Sequence, residues 1–216
     1  MKAPDAGRLA LAGPAGALEA VIEVPAGTTS PAAFMVVCHP HPQHGGTMNN
    51  KVVTTLARTA HGLGVPTIRF NFRGVGASEG SFDAGRGEVE DALAAVAAGR
   101  LRWPAAALWL AGFSFGGIIA LRVAMHAGAG QVAKLVTVAP ALGRDFSNPQ
   151  DISVPSCPWL IVQGDADEVI DGALVIEWAG RIEPAPRLSV LPGVGHFFHG
   201  RLTELQEQVQ AFLQGA

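Results

Sequence analysis

Two serines in this chain stand in the pattern Gly-x-Ser-x-Gly: Gly112-Phe-Ser114-Phe-Gly116 and Gly76-Ala-Ser78-Glu-Gly80. A serine hydroxyl is a weak nucleophile at neutral pH and becomes effective beside a general base whose orientation is fixed by a third group. Glycines two residues to either side relieve crowding where a strand turns sharply into a helix, a turn that exposes the hydroxyl. The chain holds 27 glycines in 216 residues, so one match can arise by chance and context must separate the two. Ser114 follows the apolar run Ala-Leu-Trp-Leu-Ala and precedes Gly116-Gly-Ile-Ile-Ala-Leu-Arg-Val-Ala-Met-His126, which is long and apolar enough for a helix. The helix N-terminus would set unpaired N–H groups and a partial positive charge where an oxyanion develops in acyl transfer. Ser78 lies well past its nearest strand, and the following Ser81-Phe-Asp-Ala-Gly-Arg-Gly87 is too rich in glycine to start a helix. It reads as a loop residue whose glycines serve backbone turns.

In the α/β-hydrolase arrangement to which such a turn belongs, the chain order is serine, then Asp or Glu, then His. Of the late histidines, His196 follows the strand Leu188 to Leu191 and the turn Pro192-Gly-Val-Gly195, and a side chain there can swing back across the strand ends. His199 reads as a surface or helix-terminus residue. For the acid, the strand Trp159-Leu-Ile-Val-Gln163 runs into Gly164-Asp165-Ala-Asp167-Glu168-Val-Ile-Asp171. All four carboxylates satisfy order and placement. Asp165 and Asp167 rank only slightly above the others, whose alternatives are turn formation and N-capping near Asp171.

The oxyanion needs two donors. One is the N–H of the residue after the nucleophile, Phe115, and the other comes from the loop after the third strand. That loop reads Cys38-His39-Pro40-His41-Pro42-Gln43-His44-Gly45-Gly46, and since proline has no N–H, His41 carries the only internal donor between His39 and Gln43. A metal site on the three histidines is the weaker reading, because proline restricts the residues before it and no carboxylate or cysteine of suitable spacing completes a ligand set. A dinucleotide site at Gly74-Val-Gly76-Ala-Ser-Glu-Gly80 is weaker still, its last glycine falling one residue late. No metal and no cofactor are expected.

Around these residues, short β-branched runs alternate with segments of helical periodicity, the pattern of parallel strands joined by crossover helices. A hairpin is expected from Arg8 to Ala12 and Ala17 to Val24, followed by strands at Ala33 to Cys38, Val65 to Asn71, Ala105 to Ala111, Lys134 to Ala139, Pro158 to Gln163 and Arg187 to Leu191. Helical faces fall at Val52, Val53, Leu56, Ala60 and Leu63, with Asn49 or Asn50 as cap, at Val89, Ala92, Leu93 and Val96, and at Leu202, Leu205, Val209 and Phe212. The fold class is therefore α/β, a mostly parallel central sheet with helices on both faces. One domain over residues 1–216 is expected, with 49% hydrophobic residues supplying its core. Only the eighteen residues from Pro140 to Cys157 separate two successive strands where lids are usually inserted, and Gly143, Pro149 and Pro155 break any long helix among them. No cap or lid is expected, and Ser114 should lie in a shallow, solvent-facing cleft.

A formal net charge of −3 offers no basic face for a nucleic acid or an anionic membrane surface. The N-terminus Met1-Lys2-Ala3-Pro4-Asp5 lacks the apolar run of a secretory signal, so a cytoplasmic location is expected. Cys38 and Cys157 sit among apolar residues and read as inert thiols. The partner expected is a small-molecule acyl substrate, and a homodimer is left open.

The strings His39-Pro-His-Pro-Gln-His-Gly-Gly-Thr-Met-Asn49-Asn50-Lys51, Asn71-Phe-Arg-Gly-Val-Gly76, Gly112-Phe-Ser-Phe-Gly-Gly117, Gly164-Asp-Ala-Asp167-Glu-Val and Gly195-His196-Phe-Phe-His-Gly200 together resemble the small bacterial α/β-hydrolases related to dienelactone hydrolases and short acyl esterases. The resemblance spans nearly the whole chain. It implies Asp167 as the acid, three residues after the glycine ending its strand. Dienelactone hydrolases proper carry a cysteine where this chain has Ser114, so their substrate does not transfer. The expected function is hydrolysis of short-chain carboxylic esters by Ser114, His196 and Asp167, with the amides of His41 and Phe115 holding the oxyanion. The same groups could serve a thioester, an amide or a carbon–carbon bond, and a non-catalytic binding protein on the same fold is the remaining alternative.

Overall fold

The computed structural model describes residues 7–128, 130–144 and 147–215. The described elements, in chain order, are β1 (Gly7–Gly13), β2 (Gly16–Glu23), β3 (Ala33–Cys38), α1 (Lys51–Gly62), β4 (Thr67–Phe70), α2 (Arg86–Arg102), β5 (Ala107–Phe113), α3 (Phe115–His126), β6 (Lys134–Val138), β7 (Trp159–Gly164), α4 (Gly172–Ala179), β8 (Arg187–Leu191) and α5 (Leu202–Gln214). The strands form one sheet in the order β1-β2-β4-β3-β5-β6-β7-β8. The β1–β2 hairpin turns at Pro14-Ala15 and is antiparallel to β4, whereas β4 through β8 are mutually parallel. Every residue of β3, β4 and β7 is buried, as expected for parallel strands covered on both faces. Helices α1 and α5 pack on one face and α2, α3 and α4 on the other, giving two apolar layers. This is the α/β-hydrolase fold.

Most boundaries fall within two residues of those expected, and Asn50 caps α1 by accepting the N–H of Val52 at 2.8 Å. One expectation fails at α2, which starts at Arg86 inside the glycine-rich stretch. The Glu88 carboxylate accepts the N–H groups of Asp83 at 2.8 Å and Gly85 at 2.7 Å, while Asp83 accepts that of Gly87 at 3.1 Å, so acidic side chains satisfy the donors of the first turn. Gly87 serves a close approach, because a Cβ there would lie 1.9 Å from a guanidinium nitrogen of Arg73. Arg73 in turn forks onto fully buried Asp91 at 2.8–3.1 Å, a pair whose disruption from one side typically costs about 3–5 kcal/mol. Leu93, expected on the buried face, is 40% exposed, since the inward face carries Glu88 and Asp91 instead.

The chain order across the sheet decides where a ligand can sit. From β3 the chain crosses to β4 on one side and then returns by α2 to β5 on the other side of β3. The loops after β3 and β5 thus diverge from adjacent strand ends, leaving a crevice at the carboxyl edge of the sheet. Between β6 and β7 the described residues contain one 3₁₀ turn, Pro149–Asp151, and no lid. Among the described residues no helix is long and apolar enough to cross a membrane.

Candidate active site

Ser114 ends the β5 run and stands at the N-terminus of α3 with φ 55° and ψ −118°, a backbone conformation that costs a non-glycine residue roughly 1–3 kcal/mol. Its own N–H donates to Val138 on β6 at 2.9 Å, and its carbonyl accepts from Gly117 at 2.9 Å and Ala141 at 3.2 Å, so neighbouring elements hold the strained turn. The glycine at 116 has a long-range purpose: a Cβ there would come within 2.4 Å of the carbonyls of Cys38 and His39. Its absence lets the first turn of α3 press against the end of β3, which brings the His41 loop beside Phe115.

The structure brings together three of the side chains singled out from sequence. Ser114 Oγ lies 3.1 Å from His196 Nε2, and His196 Nδ1 lies 2.8 Å from Asp167 Oδ2. The Asp167 side chain has no exposed surface and that of His196 is 3% exposed, so the file is shielded from water. Burial pushes the Asp167 carboxyl up, but the hydrogen bond and charge of His196 and the N–H groups of Ile170 and Val169 outweigh it and hold the group below its ordinary range. Those N–H groups reach Oδ1 at 2.7 and 2.9 Å, while the Gln163 amide donates to Oδ2 at 3.1 Å. Gln163 went unmarked in the sequence, where it is simply the penultimate residue of an apolar strand.

The other three carboxylates of that loop have separate tasks. Asp165 accepts the N–H of Gly193 at 2.7 Å, Glu168 accepts the N–H of His196 at 3.1 Å, and Asp171 caps α4 through the N–H of Leu174 at 3.2 Å. Asp165 and Glu168 thereby lace the loop after β7 to the loop after β8 and set His196 against Asp167. His199 is exposed and accepts from Lys51 Nζ at 2.7 Å. Ser78 is buried: its hydroxyl donates to the Asn71 carbonyl at 2.7 Å and accepts the N–H of Glu19 at 2.9 Å, tying the β4–α2 loop to β2.

The histidine loop is built as a rigid wall. Fully buried His39 donates from Nδ1 to the Pro40 carbonyl at 2.6 Å and accepts the N–H of Phe72 on Nε2 at 3.0 Å, which joins the loops after β3 and β4. His41 accepts on its carbonyl from His44 at 3.1 Å and Gly46 at 3.0 Å, and its ring packs 5.1 Å from that of Phe115. With His39 turned into the protein and His41 stacked on His44 at 4.4 Å, the three do not converge on a common point, and among the described residues no cluster of ligand-type side chains is arranged to hold a metal ion.

Burial pushes the His39 imidazole down to about 4 in spite of the Pro40 carbonyl, and burial followed by the neighbouring His44 moves His41 in the same direction. An unfolded histidine binds its proton near pH 6.5, whereas folded His39 resists it until about 4. Between those values the unfolded state holds more protons, so stability is complete above the upper value and falls as pH drops toward the lower one. His39 is expected to contribute about 3 kcal/mol to that loss. Urea unfolding across the window tests this: His39→Gln should be less stable at neutral pH and show a flatter pH dependence, and an unchanged slope would contradict the assignment.

Ser114, with Phe115 and Arg122 of α3, floors a cleft of about 760 Å³ whose walls are the loops after β3, β4, β6 and β7. His41 and Phe115, the residues expected to supply the oxyanion donors, both line it. Ser114 is 6% exposed and sits at the bottom of this cleft. The surrounding loops rise above it and form walls without any lid.

A strained serine at a strand-to-helix turn, bonded to a histidine on this fold, defines the class of α/β serine hydrolases. Within that class, the chain belongs to the family described as serine aminopeptidase, S33, whose model matches residues 29–152. It is similar to the structure of an alpha-beta serine hydrolase homologue from Coxiella burnetii, with 43% identity, a TM-score of 0.91, and 99% of this chain and 100% of that one covered. It is also similar to an α/β serine hydrolase without lid from Xanthomonas campestris, at 40% identity and TM-score 0.89 over 99% of this chain and 96% of that one. An uncharacterised protein of Rickettsia prowazekii is 32% identical over 93% of this chain and 86% of its own length.

Proposed function

We propose that this protein hydrolyses short-chain carboxylic esters through an acyl-enzyme on Ser114. The observation that carries the reading is the buried file in which Ser114 Oγ, His196 and Asp167 are linked at 3.1 and 2.8 Å. His196 takes the proton of Ser114 Oγ as the oxygen attacks the acyl carbon. The carbonyl electrons pass to an oxyanion held by the N–H groups of Phe115 and His41. His196, its tautomer fixed by Asp167, then returns the proton to the departing alkoxide, and water attacks the acyl-enzyme by the same route in reverse roles. Labelling of Ser114 by a fluorophosphonate, together with hydrolysis of 4-nitrophenyl esters, tests this directly. A protein that neither reacts at Ser114 nor cleaves any ester would be a binding protein.

Cleavage of an amide is the second reading, favoured by the description of the family to which the chain belongs. A panel of esters and amino-acid anilides at matched concentration separates the two by relative kcat/KM.

Acyl length supplies a further test. The cleft lining interleaves Phe82, Phe115, Val169 and Ile170 with His41, Gln43, His44 and three arginines, so the apolar surface is broken by polar groups and, without a lid, a long chain would be only partly enclosed. Each methylene left in water forgoes up to about 0.8 kcal/mol of transfer energy. The specificity constant is therefore expected to level off or fall beyond roughly a hexanoyl chain and to gain nothing from a lipid interface. A steady climb through dodecanoyl esters would require an apolar tunnel.

A further inference from the structure

Charge is distributed unevenly between this cleft and the rest of the protein. The chain as a whole is acidic, with net charge −3, yet Arg86, Arg122 and Arg144 all line the cleft that holds Ser114, and no Asp or Glu is among its described lining residues. The nearby carboxylates are engaged elsewhere. Asp167 faces His196, Asp165 and Glu168 brace the loops after β7 and β8, and Asp171 caps α4. Asp83 pairs with Arg86 at 3.4 Å while also accepting the N–H of Gly87, and Arg122 has a contact of its own. Asp145, which adjoins Arg144 in sequence, lies outside the described residues, and counting it as a second acid still leaves the guanidinium groups in excess.

Arg144 is the most informative of the three. It is exposed, forms no ion pair among the described residues, and donates one N–H to the neutral Val169 carbonyl across the cleft. That bond fixes where the guanidinium lies and leaves further donors of its fork available. The three arginines reach the cleft from separate segments, the start of α2, the second turn of α3 and the β6–β7 connection, so their convergence arises only in the folded chain.

We propose that the natural substrate of this cleft is an ester bearing an anionic group, a carboxylate or a phosphate, which Arg144 holds with the support of Arg86 and Arg122 while Ser114 attacks the acyl carbon. The proposal rests on the hydrolase reading above and narrows its substrate class. It also disfavours a substrate with a free α-ammonium group, which the same guanidinium charges would repel.

Paired esters of equal shape test it. Mono-4-nitrophenyl glutarate is compared with its methyl ester for an anion on the acyl side, and 4-acetoxybenzoate with its methyl ester for an anion on the alcohol side. In at least one pair the anionic member is expected to have a kcat/KM about ten-fold or more higher, the size of one charge-assisted hydrogen bond. This ratio should shrink as salt is raised and fall toward one in the Arg86→Gln/Arg144→Gln variant. Glutarate and inorganic phosphate, used as inhibitors of a neutral ester, identify which anion the site prefers. Arg144 is at the surface, so a melting temperature close to wild type is expected, and the salt series on the unaltered protein gives a second measure if the variant is unstable. Equal constants within both pairs, or a preference that survives both salt and the substitutions, would overturn the proposal while leaving the hydrolase reading intact. Failure of the wild-type protein to cleave any ester or to react with fluorophosphonate at Ser114 would remove both.

Discussion

Replacing Ser114 with alanine is expected to lower hydrolysis of an activated ester by about 10⁴-fold or more, the scale seen when the nucleophile of a serine triad is removed. The fold should survive, since the change deletes one hydroxyl at the floor of a cleft and can relieve no more than the local strain of the turn. Ser78→Ala gives the contrast. Its hydroxyl bridges the Asn71 carbonyl and the Glu19 N–H in a buried position, so its loss leaves two backbone groups unpaired and should cost about 1–3 kcal/mol of stability. Turnover per folded molecule should remain close to wild type. Steady-state kinetics and urea unfolding on both variants separate these outcomes, and comparable loss of turnover in both would sink the choice of nucleophile.

Asp167→Asn is expected to reduce kcat by roughly 10³–10⁴-fold, because the amide cannot both accept from His196 Nδ1 and keep the acceptor geometry toward Ile170 and Val169, and the imidazole loses its working tautomer. Asp165→Asn should have a far smaller effect. Its Oδ1 accepts a single N–H from Gly193, a bond that an asparagine oxygen can also make. The wild-type acid limb adds a second check. The Asp167 carboxyl lies below its ordinary range in the folded protein, so its ionised form contributes stability above the unfolded value, and that contribution is lost as pH falls through the folded one. Asp167→Asn should lack this part of the acid dependence. A reversed ranking of the two variants would move the acid to Asp165.

Much of the architecture was legible before any coordinates, and for definite reasons. Parallel strands buried on both faces leave unbroken apolar runs, so Ala33–Cys38 could be bounded to the residue. The start of α2 could not, because glycine is a poor helix residue by propensity and the sequence does not reveal that Glu88 and Asp83 cap the turn or that Arg73 needs the space at Gly87. Leu93 was misplaced for a related reason. Hydrophobic periodicity assumes that acids face water, whereas here Asp91 is buried against a guanidinium.

The sequence by itself determined the types and order of the reactive groups: a serine between glycines at a strand end, a later loop with four carboxylates, and a histidine after the last strand. It also determined the brevity of the β6–β7 connection, since chain length alone forbids a large lid there. Order and spacing left four carboxylates open and only the resemblance named Asp167; what puts it against the histidine is tertiary structure. Residue spacing constrains a loop to within a few ångströms, while a hydrogen bond needs an atom placed to a fraction of one, and the difference is supplied by contacts between distant segments: Asp165 on Gly193, Glu168 on His196, Gln163 on Asp167. The gathering of Arg86, Arg122 and Arg144 around Ser114 has the same origin, because side chains separated by tens of residues share a cleft only after the strand order has brought their loops to one edge of the sheet.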